Sequence, residues 1–300
     1  MKKTYHLCLS GGDEVMFRCD EDYVRGINSL SLAAHKTDSS LLAYSFMSNH
    51  VHIGVRTESP EALIYAYRYG YCRYFNRKYG RSGRLGERDF FSLEIEGLYH
   101  LLTVIAYILR NPLHHGVSAT PFGYKYSSIS ALFRKELGRF DEPISVPSAY
   151  HFLPEKCELP TGFKMNESGM IIPESVIDVA DVEHQFSTAR TFLYYMNRLS
   201  GDSWTKEQLQ DDTELPPISL EEIEKGVVCQ DMRTLFANEH GRANYNSISD
   251  LLLCKEIDKH FERRSIYQAT HSELMSVAKE LIRRFHLPSD QLKRCFGGLL

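Results

Sequence analysis

The stretch Tyr44-Ser45-Phe46-Met47-Ser48-Asn49-His50-Val51-His52-Ile53-Gly54-Val55 decides how the first half of this 300-residue chain is laid out. Apolar residues alternate or cluster on both sides of a short polar break, the pattern of two strands joined by a turn. Leu41 to Met47 is predicted as one strand, Ser48-Asn49 as the turn, and His50 to Val55 as the next strand. Successive strand side chains point to opposite faces, so His50 and His52 should project side by side while Val51 and Ile53 turn into a core. Two neutral imidazoles on one rigid face are half of a divalent-metal site; the same pair also occurs as a plain polar surface. Strands placed mid-sheet would hold such a pair in fixed geometry.

The stretch Tyr107-Ile108-Leu109-Arg110-Asn111-Pro112 offers a complement. From Gly97 to Asn111 the residues Leu98, Leu101, Leu102, Ile105 and Leu109 predict a helix with one buried stripe, stopped by Pro112. Tyr107 and Asn111 are four apart and share a different face, one turn above the other. A phenol and a carboxamide there suit a nucleophile and a metal ligand, and an amphipathic helix with a half-buried Tyr and a C-terminal Asn has the same pattern.

Outward from these two stretches, Thr4 to Leu9 reads as a strand ended by Gly11-Gly12, and Asp20 to His35 as a helix carrying Tyr23, Ile27, Leu30 and Leu32 on one face. Ser59 is a candidate N-cap for a helix that opens with Pro60 and Glu61 and runs to about Tyr79. Its packing stripe is Leu63, Tyr67, Tyr71 and Tyr74, with Arg68, Arg73 and Arg77 largely off it. Bases interleaved with aromatic rings suit a nucleic-acid backbone with stacked bases, and also a solvated helix face. Gly80 to Gly86 is a basic turn, and Arg88 to Ile95 a further strand. Strands and helices in this order predict an α+β fold, an antiparallel sheet with helices, followed by a mostly α-helical C-terminal region.

Taken together, Asn49-His50-Val51-His52, Tyr74-Phe75-Asn76-Arg77-Lys78-Tyr79-Gly80-Arg81-Ser82-Gly83, Tyr107-Ile108-x-x-Asn111-Pro112 and Tyr124-x-Tyr126-Ser127-Ser128 stand in an order and spacing that resembles the REP-associated tyrosine transposases. These are single-tyrosine HUH transposases, and the resemblance spans roughly Tyr5 to Ser128. It implies a ferredoxin-like HUH endonuclease core that cleaves and rejoins single-stranded or hairpin DNA through a covalent 5′-phosphotyrosine. Carried over position by position, Tyr107 would be the nucleophile, and His50, His52 and Asn111 would hold Mg²⁺ or Mn²⁺. The basic stretch Arg68, Arg73, Arg77, Lys78, Arg81, Arg84 and Arg88 would grip DNA. This chain departs from the pattern at Gly86-Glu87, where relatives usually have a bulky residue and Gln, and at His114, where they usually have a base.

Composition sets the bounds. With 43% hydrophobic and 25% charged residues the chain is that of a soluble globular protein. Its net charge of −4 disfavours a protein that coats nucleic acid everywhere. The charge is uneven: Glu61 to Arg88 holds seven bases and two acids, whereas Gly201 to Glu224 holds eight acids against Lys206 alone. Seven cysteines without a CxxC spacing fit reduced thiols, no signal-peptide core is evident, and no apolar run approaches the ~20 residues of a membrane span. A cytoplasmic protein acting on DNA, with no membrane or small-molecule partner and acting as a monomer, is expected.

Residues 1–135 form the expected catalytic domain, 136–217 a proline-punctuated connection with helices, and 218–300 a helical domain. Gln185 to Leu199, Trp204 to Leu209 and Ser219 to Val228 read as helices in or near the connection, and Ser247 to Phe261 and Ser272 to Phe285 as later ones. After the turn His286-Leu287-Pro288, a helix from Asp290 to Phe296 presents Gln291, Lys293 and Arg294 on a mostly polar surface. That is the outline of a helix-turn-helix, and equally of a helical packing module.

Overall fold

The computed structural model describes residues 1–138, 152–154, 157–197, 248–261 and 264–300. The helices expected at Trp204 to Leu209 and Ser219 to Val228 lie outside them. Four strands, β1 (Lys3–Ser10), β2 (Ser40–Phe46), β3 (His50–Thr57) and β4 (Phe91–Glu94), form one antiparallel sheet in the order β2-β3-β1-β4. Between them run α1 (Asp20–Lys36) and α2 (Pro60–Tyr79), and α3 (Leu98–His114) follows β4. This β1-α1-β2-β3-α2-β4 arrangement, with sheet order β2-β3-β1-β4, is the ferredoxin-like α+β fold that the resemblance implied. β3 is central, so the histidine pair sits mid-sheet with Cys8 opposite His52 and Ser10 opposite His50.

The two faces of the sheet take different helices. Val51, Ile53, Tyr44 and Phe46 belong to the hydrophobic cluster that includes Tyr67 and Tyr71, and Phe46 meets Tyr67 edge-on at 6.4 Å. That assigns α1 and α2 to the Val51/Ile53 face. α3 covers the histidine face, passing close over Gly54, where a Cβ would press Ile108 at 3.2 Å. Ser59 caps α2 by accepting from Ala62 N–H, and Gly80 ends it in the left-handed region at φ 61°.

Several expectations need correcting. α3 does not stop at Pro112: it continues to His114, because only one intrahelical hydrogen bond is forfeited and Pro112 itself is buried. Leu98 is exposed rather than part of a buried stripe, and the helix from Leu101 to Leu109 is buried all round, between the sheet and later elements. The fourth strand is shorter than Arg88 to Ile95, pairing only over Phe91–Glu94. Gln185 to Leu199 is not one helix but the end of α4 (Val179–Phe186) and then α5 (Ala189–Asn197), broken where Ser187 takes φ 62° and Thr188 receives Thr191 N–H.

Residues 157–197 are not merely laid over the surface. Met170, Ile177, Val182, Phe186, Phe192 and Met196 enter the same core as the sheet, and Asp178 N–H donates to Leu41 C=O at the β2 edge. The C-terminal helices α6 (Asp250–His260), α7 (His271–Phe285) and α8 (Ser289–Cys295) build a second cluster around Leu253, Ile257, Leu281 and Phe296. Among the described residues no helix is long and apolar enough to cross a membrane.

Candidate active site

The hairpin turn between β2 and β3 and one face of α3 bring the site together. Ser48 C=O accepts from Met16 N–H and Phe17 N–H at 2.7 and 3.0 Å, and Asn49 C=O accepts from Gly11 N–H at 2.5 Å. His50 and His52, two residues apart on β3, place their rings 5.0 Å apart, both fully buried. From above, α3 lowers Tyr107 edge-on against His52 at 5.2 Å, and one turn later Asn111 Oδ1 lies 3.0 Å from His50 Nε2. Thus Tyr107, His50, His52 and Asn111, predicted from two separate stretches, come together in one buried cluster between β3 and α3.

Burial keeps the imidazoles neutral. It lowers His50 to about 4 and His6 to about 3, and takes His52 well down, where its neighbouring histidines add to the effect. Neutrality exposes a conflict at His50. Its Nδ1 lies 3.0 Å from Asn49 Oδ1, while its Nε2 faces Asn111 Oδ1. A neutral imidazole has one N–H, so only one of those two oxygens can receive a hydrogen bond. An Nδ1–H donated to Asn49 leaves the Nε2 lone pair facing the Asn111 oxygen, an arrangement that a cation between them resolves and that otherwise requires an amide to turn over.

The spacing also fits an ion: two adjacent ligands at about 2.1 Å on an octahedral centre are themselves separated by about 3 Å. His52 Nε2 and Asn111 Nδ2 are buried without a hydrogen-bond partner. Among the described residues no group of three or more His, Cys, Asp or Glu side chains is placed to hold a metal, so an ion here depends on the Asn111 amide. Two imidazoles and an amide oxygen form a donor set that suits Mg²⁺ less than Mn²⁺, which accepts imidazole more readily.

No protein-family model and no curated protein matches the chain. Among the solved structures similar to it are the following two. One is a REP-associated tyrosine transposase bound to a REP hairpin, with TM-score 0.38, 11% identity, and coverage of 53% of this chain and 95% of the other. The second, from Deinococcus radiodurans R1 and provisionally described as a transposase, has TM-score 0.26 and 19% identity over 32% of this chain and 81% of its own. Likeness at that level assigns no activity, which has to come from the site itself.

Two histidines escaped the sequence reading. His6, on β1, sets its Nε2 3.0 Å from His52 Nδ1 and its ring 5.9 Å from Tyr107. Its signal was available: on an alternating strand His6, Cys8 and Ser10 share a face, but only the pairing of β1 with β3 shows that this is the His50/His52 face. His115, the C-cap of α3 just beyond Pro112, is buried with its ring 5.4 Å from His50, whereas His114 is exposed.

Three of the seven basic candidates already have partners within the fold. Lys78 is held by Glu21 and Asp22, Arg81 by Glu14, and Arg68 by the carbonyls of Glu87, Arg88 and Asp89. Arg73, Arg77, Arg84 and Arg88 are exposed. The departure at Gly86 has a local cause: its φ is 74°, and a Cβ would meet Ser10 O at 2.5 Å, so no bulky residue fits there.

The polar residues of α8 also point elsewhere than expected. Gln291 and Arg294 are buried, not on a polar surface: both bond to Asp250, whose Oδ2 also accepts from Ser48 Oγ at 2.6 Å. Arg294 C=O receives Val15 N–H, and fully buried Arg18 reaches Asp258 and the Cys295 carbonyl. The C-terminal helices therefore grip the turn that carries His50.

Proposed function

We propose that this protein cleaves and rejoins single-stranded DNA, acting on hairpin or palindromic repeats, with Tyr107 as nucleophile. The observation that carries the reading is the placement of the Tyr107 ring against His52, with Asn111 one helical turn on against His50. His50, His52 and Asn111 are the residues that would hold Mg²⁺ or Mn²⁺; when bound, such an ion supplies positive charge to a phosphodiester whose own oxygens repel a nucleophile.

Tyr107 Oη would form a bond to phosphorus as the bond from phosphorus to the 3′ oxygen breaks, giving a tyrosine-linked 5′-phosphate and a free 3′-hydroxyl. The phenolic proton leaves Tyr107 and the departing 3′ oxygen gains one, so charge and atoms balance. One ester replaces another, so the bond energy is kept and a different 3′-hydroxyl can later displace Tyr107. Burial under α3 restricts water at the phosphotyrosine, which favours rejoining over hydrolysis. His6, which bonds His52 Nδ1, would hold that ring so that Nε2 faces the cluster.

The test is incubation with labelled single-stranded hairpins drawn from repeats flanking the gene, with Mn²⁺, followed by denaturing electrophoresis. A protein–DNA adduct that disappears in Tyr107→Phe while DNA binding persists is expected. Cleavage without an adduct would make water the nucleophile and the protein a metal-dependent phosphodiesterase. Binding without cleavage, across the repeat pool, would make it a non-catalytic DNA-binding protein.

A further inference from the structure

The outer face of α2 carries a feature that the site does not use. Tyr65 and Tyr69 are 72% and 57% exposed, two of the three strongly exposed aromatic side chains among the described residues. Single exposed rings are ordinary; an adjacent pair is not, because each ring forgoes burial it could have had. Here the two lie nearly parallel, centroids 6.3 Å apart with planes 23° off. Arg73 continues the row, its guanidinium 5.2 Å from the Tyr69 ring centre and hydrogen-bonded to the Tyr69 hydroxyl, and exposed Arg77 follows.

The four residues are spaced four apart, so they climb α2 in steps of about 6 Å as a slowly winding ladder. Between Ala62 and Tyr79 the helix carries Arg68, Arg73, Arg77 and Lys78 and no acid. The other tyrosines of α2 have structural work: Tyr67 and Tyr71 are in the core, while Tyr74 and Tyr79 bond Asp22. Tyr65 and Tyr69 have none in the fold.

We infer that Tyr65, Tyr69, Arg73 and Arg77 form a stacking strip for single-stranded DNA, with bases on the two rings and phosphates on the two guanidiniums. Aromatic faces accept any base, and a row of rings leading into cations matches the alternation of base and phosphate along an extended strand. The one acid of α2, Glu61, stands at the far end of the row from Arg73 and Arg77, so the cationic end is left to take phosphates. The strip deepens the DNA-processing reading and rests on it only for the identity of its strand. α2 packs on the Val51/Ile53 face of the sheet, so the strip lies across the sheet from Tyr107. It would hold a flanking single strand, not the bond being cut.

The experiment is a salt titration of the binding of fluorescein-labelled oligothymidylate to the full chain, followed by anisotropy. Y65A/Y69A should weaken binding by about tenfold to a hundredfold with the salt slope unchanged. R73Q/R77Q should lower the slope of log affinity against log salt by about 1.4, two phosphates at about 0.7 each. All four side chains are exposed, and unchanged thermal unfolding of both variants is expected. Y65A/Y69A should still form the Tyr107 adduct on saturating hairpin DNA. Affinity within about twofold of the parent in Y65A/Y69A would overturn the strip and leave the rings to a protein partner; equal loss on blunt duplex DNA, or loss of the adduct, would overturn it too. If the parent forms no adduct, the strip is still decided by the anisotropy.

Discussion

Two buried polar clusters lie on either side of the Ser48-Asn49 turn, and they are built to opposite specifications. On one side Asp250 receives hydrogen bonds from Ser48, Gln291 and both donor atoms of the Arg294 fork, leaving Gln291 Oε1 the unsatisfied atom of the group. On the other side His6 Nδ1, His52 Nε2 and Asn111 Nδ2 are all buried without a partner. An unsatisfied buried polar atom costs about 1–3 kcal/mol, so a fold does not accumulate three in one place without a use for them. The first cluster, in which both Asp250 carboxylate oxygens are bonded, holds the C-terminal helices to the sheet; the second is where a ligand would supply missing partners. Their adjacency means that the structural cluster supports the turn from which the open one begins.

The largest expected effect breaks the first cluster. Arg294→Met leaves Asp250 buried and unpaired and should destabilise the protein by about 3–5 kcal/mol in urea unfolding. Adding Asp250→Leu should recover a good part of that loss, and a double variant no more stable than Arg294→Met would show that the pair is not the source. In the open cluster, His6→Ala should weaken Mn²⁺ binding by about 10–100-fold in calorimetry, the usual consequence of removing a partner that orients a ligand, while His114→Ala should leave it unchanged.

A smaller effect separates the clusters by pH. In the chelator-treated protein His6 and His50 have pKa values lowered by burial to about 3 and about 4, against about 6.5 unfolded. The unfolded chain therefore binds more protons between those values. Stability is fully present above about pH 6.5 and falls as pH drops toward 4, by up to about 1.4 kcal/mol per unit for each histidine. Added Mn²⁺ should raise stability across that range without flattening the slope, because the folded imidazoles are already unprotonated there, and should carry the loss on to lower pH, where protonation and metal compete for the same lone pairs. The smallest effect is at the rim: Lys293→Ala removes the exposed pair with Asp13 and should change stability by less than about 1 kcal/mol.

Much of the fold was legible before any coordinates. Pro60 to Tyr79 is a helix with the expected cap, and the hairpin carrying His50 and His52 is at the expected place, because these elements are specified by local chemistry: a cap, a period, a turn. Where local signals compete, the reading slipped. Pro112 suggested a stop, yet α3 continues because its surroundings bury it on all sides. Residues 185–199 kept a helical period across Ser187, where backbone conformation, which periodicity does not report, breaks the helix. In the site, Tyr107, Asn111 and the histidine pair were legible because each pair shares a face of one element. His6 was not, since it reaches the site from a strand whose neighbour only folding supplies, while His115 lies one turn beyond Asn111 at the C-cap of α3, past the proline that suggested a stop.

By itself the sequence determined the elements, the two faces of β3 and the pairing of Tyr107 with Asn111, all set by periods of two and of 3.6 residues. Only the tertiary structure decided which strand lay beside β3, that α8 would turn Gln291 and Arg294 inward onto Asp250, and that Arg68, Lys78 and Arg81 of the basic stretch would be spent on Glu14, Glu21, Asp22 and nearby carbonyls. The physical reason is range: a period is felt over a few residues, but Arg81 finds Glu14 across 67 and Arg18 finds Asp258 across 240, and no pattern along the chain records who that partner is.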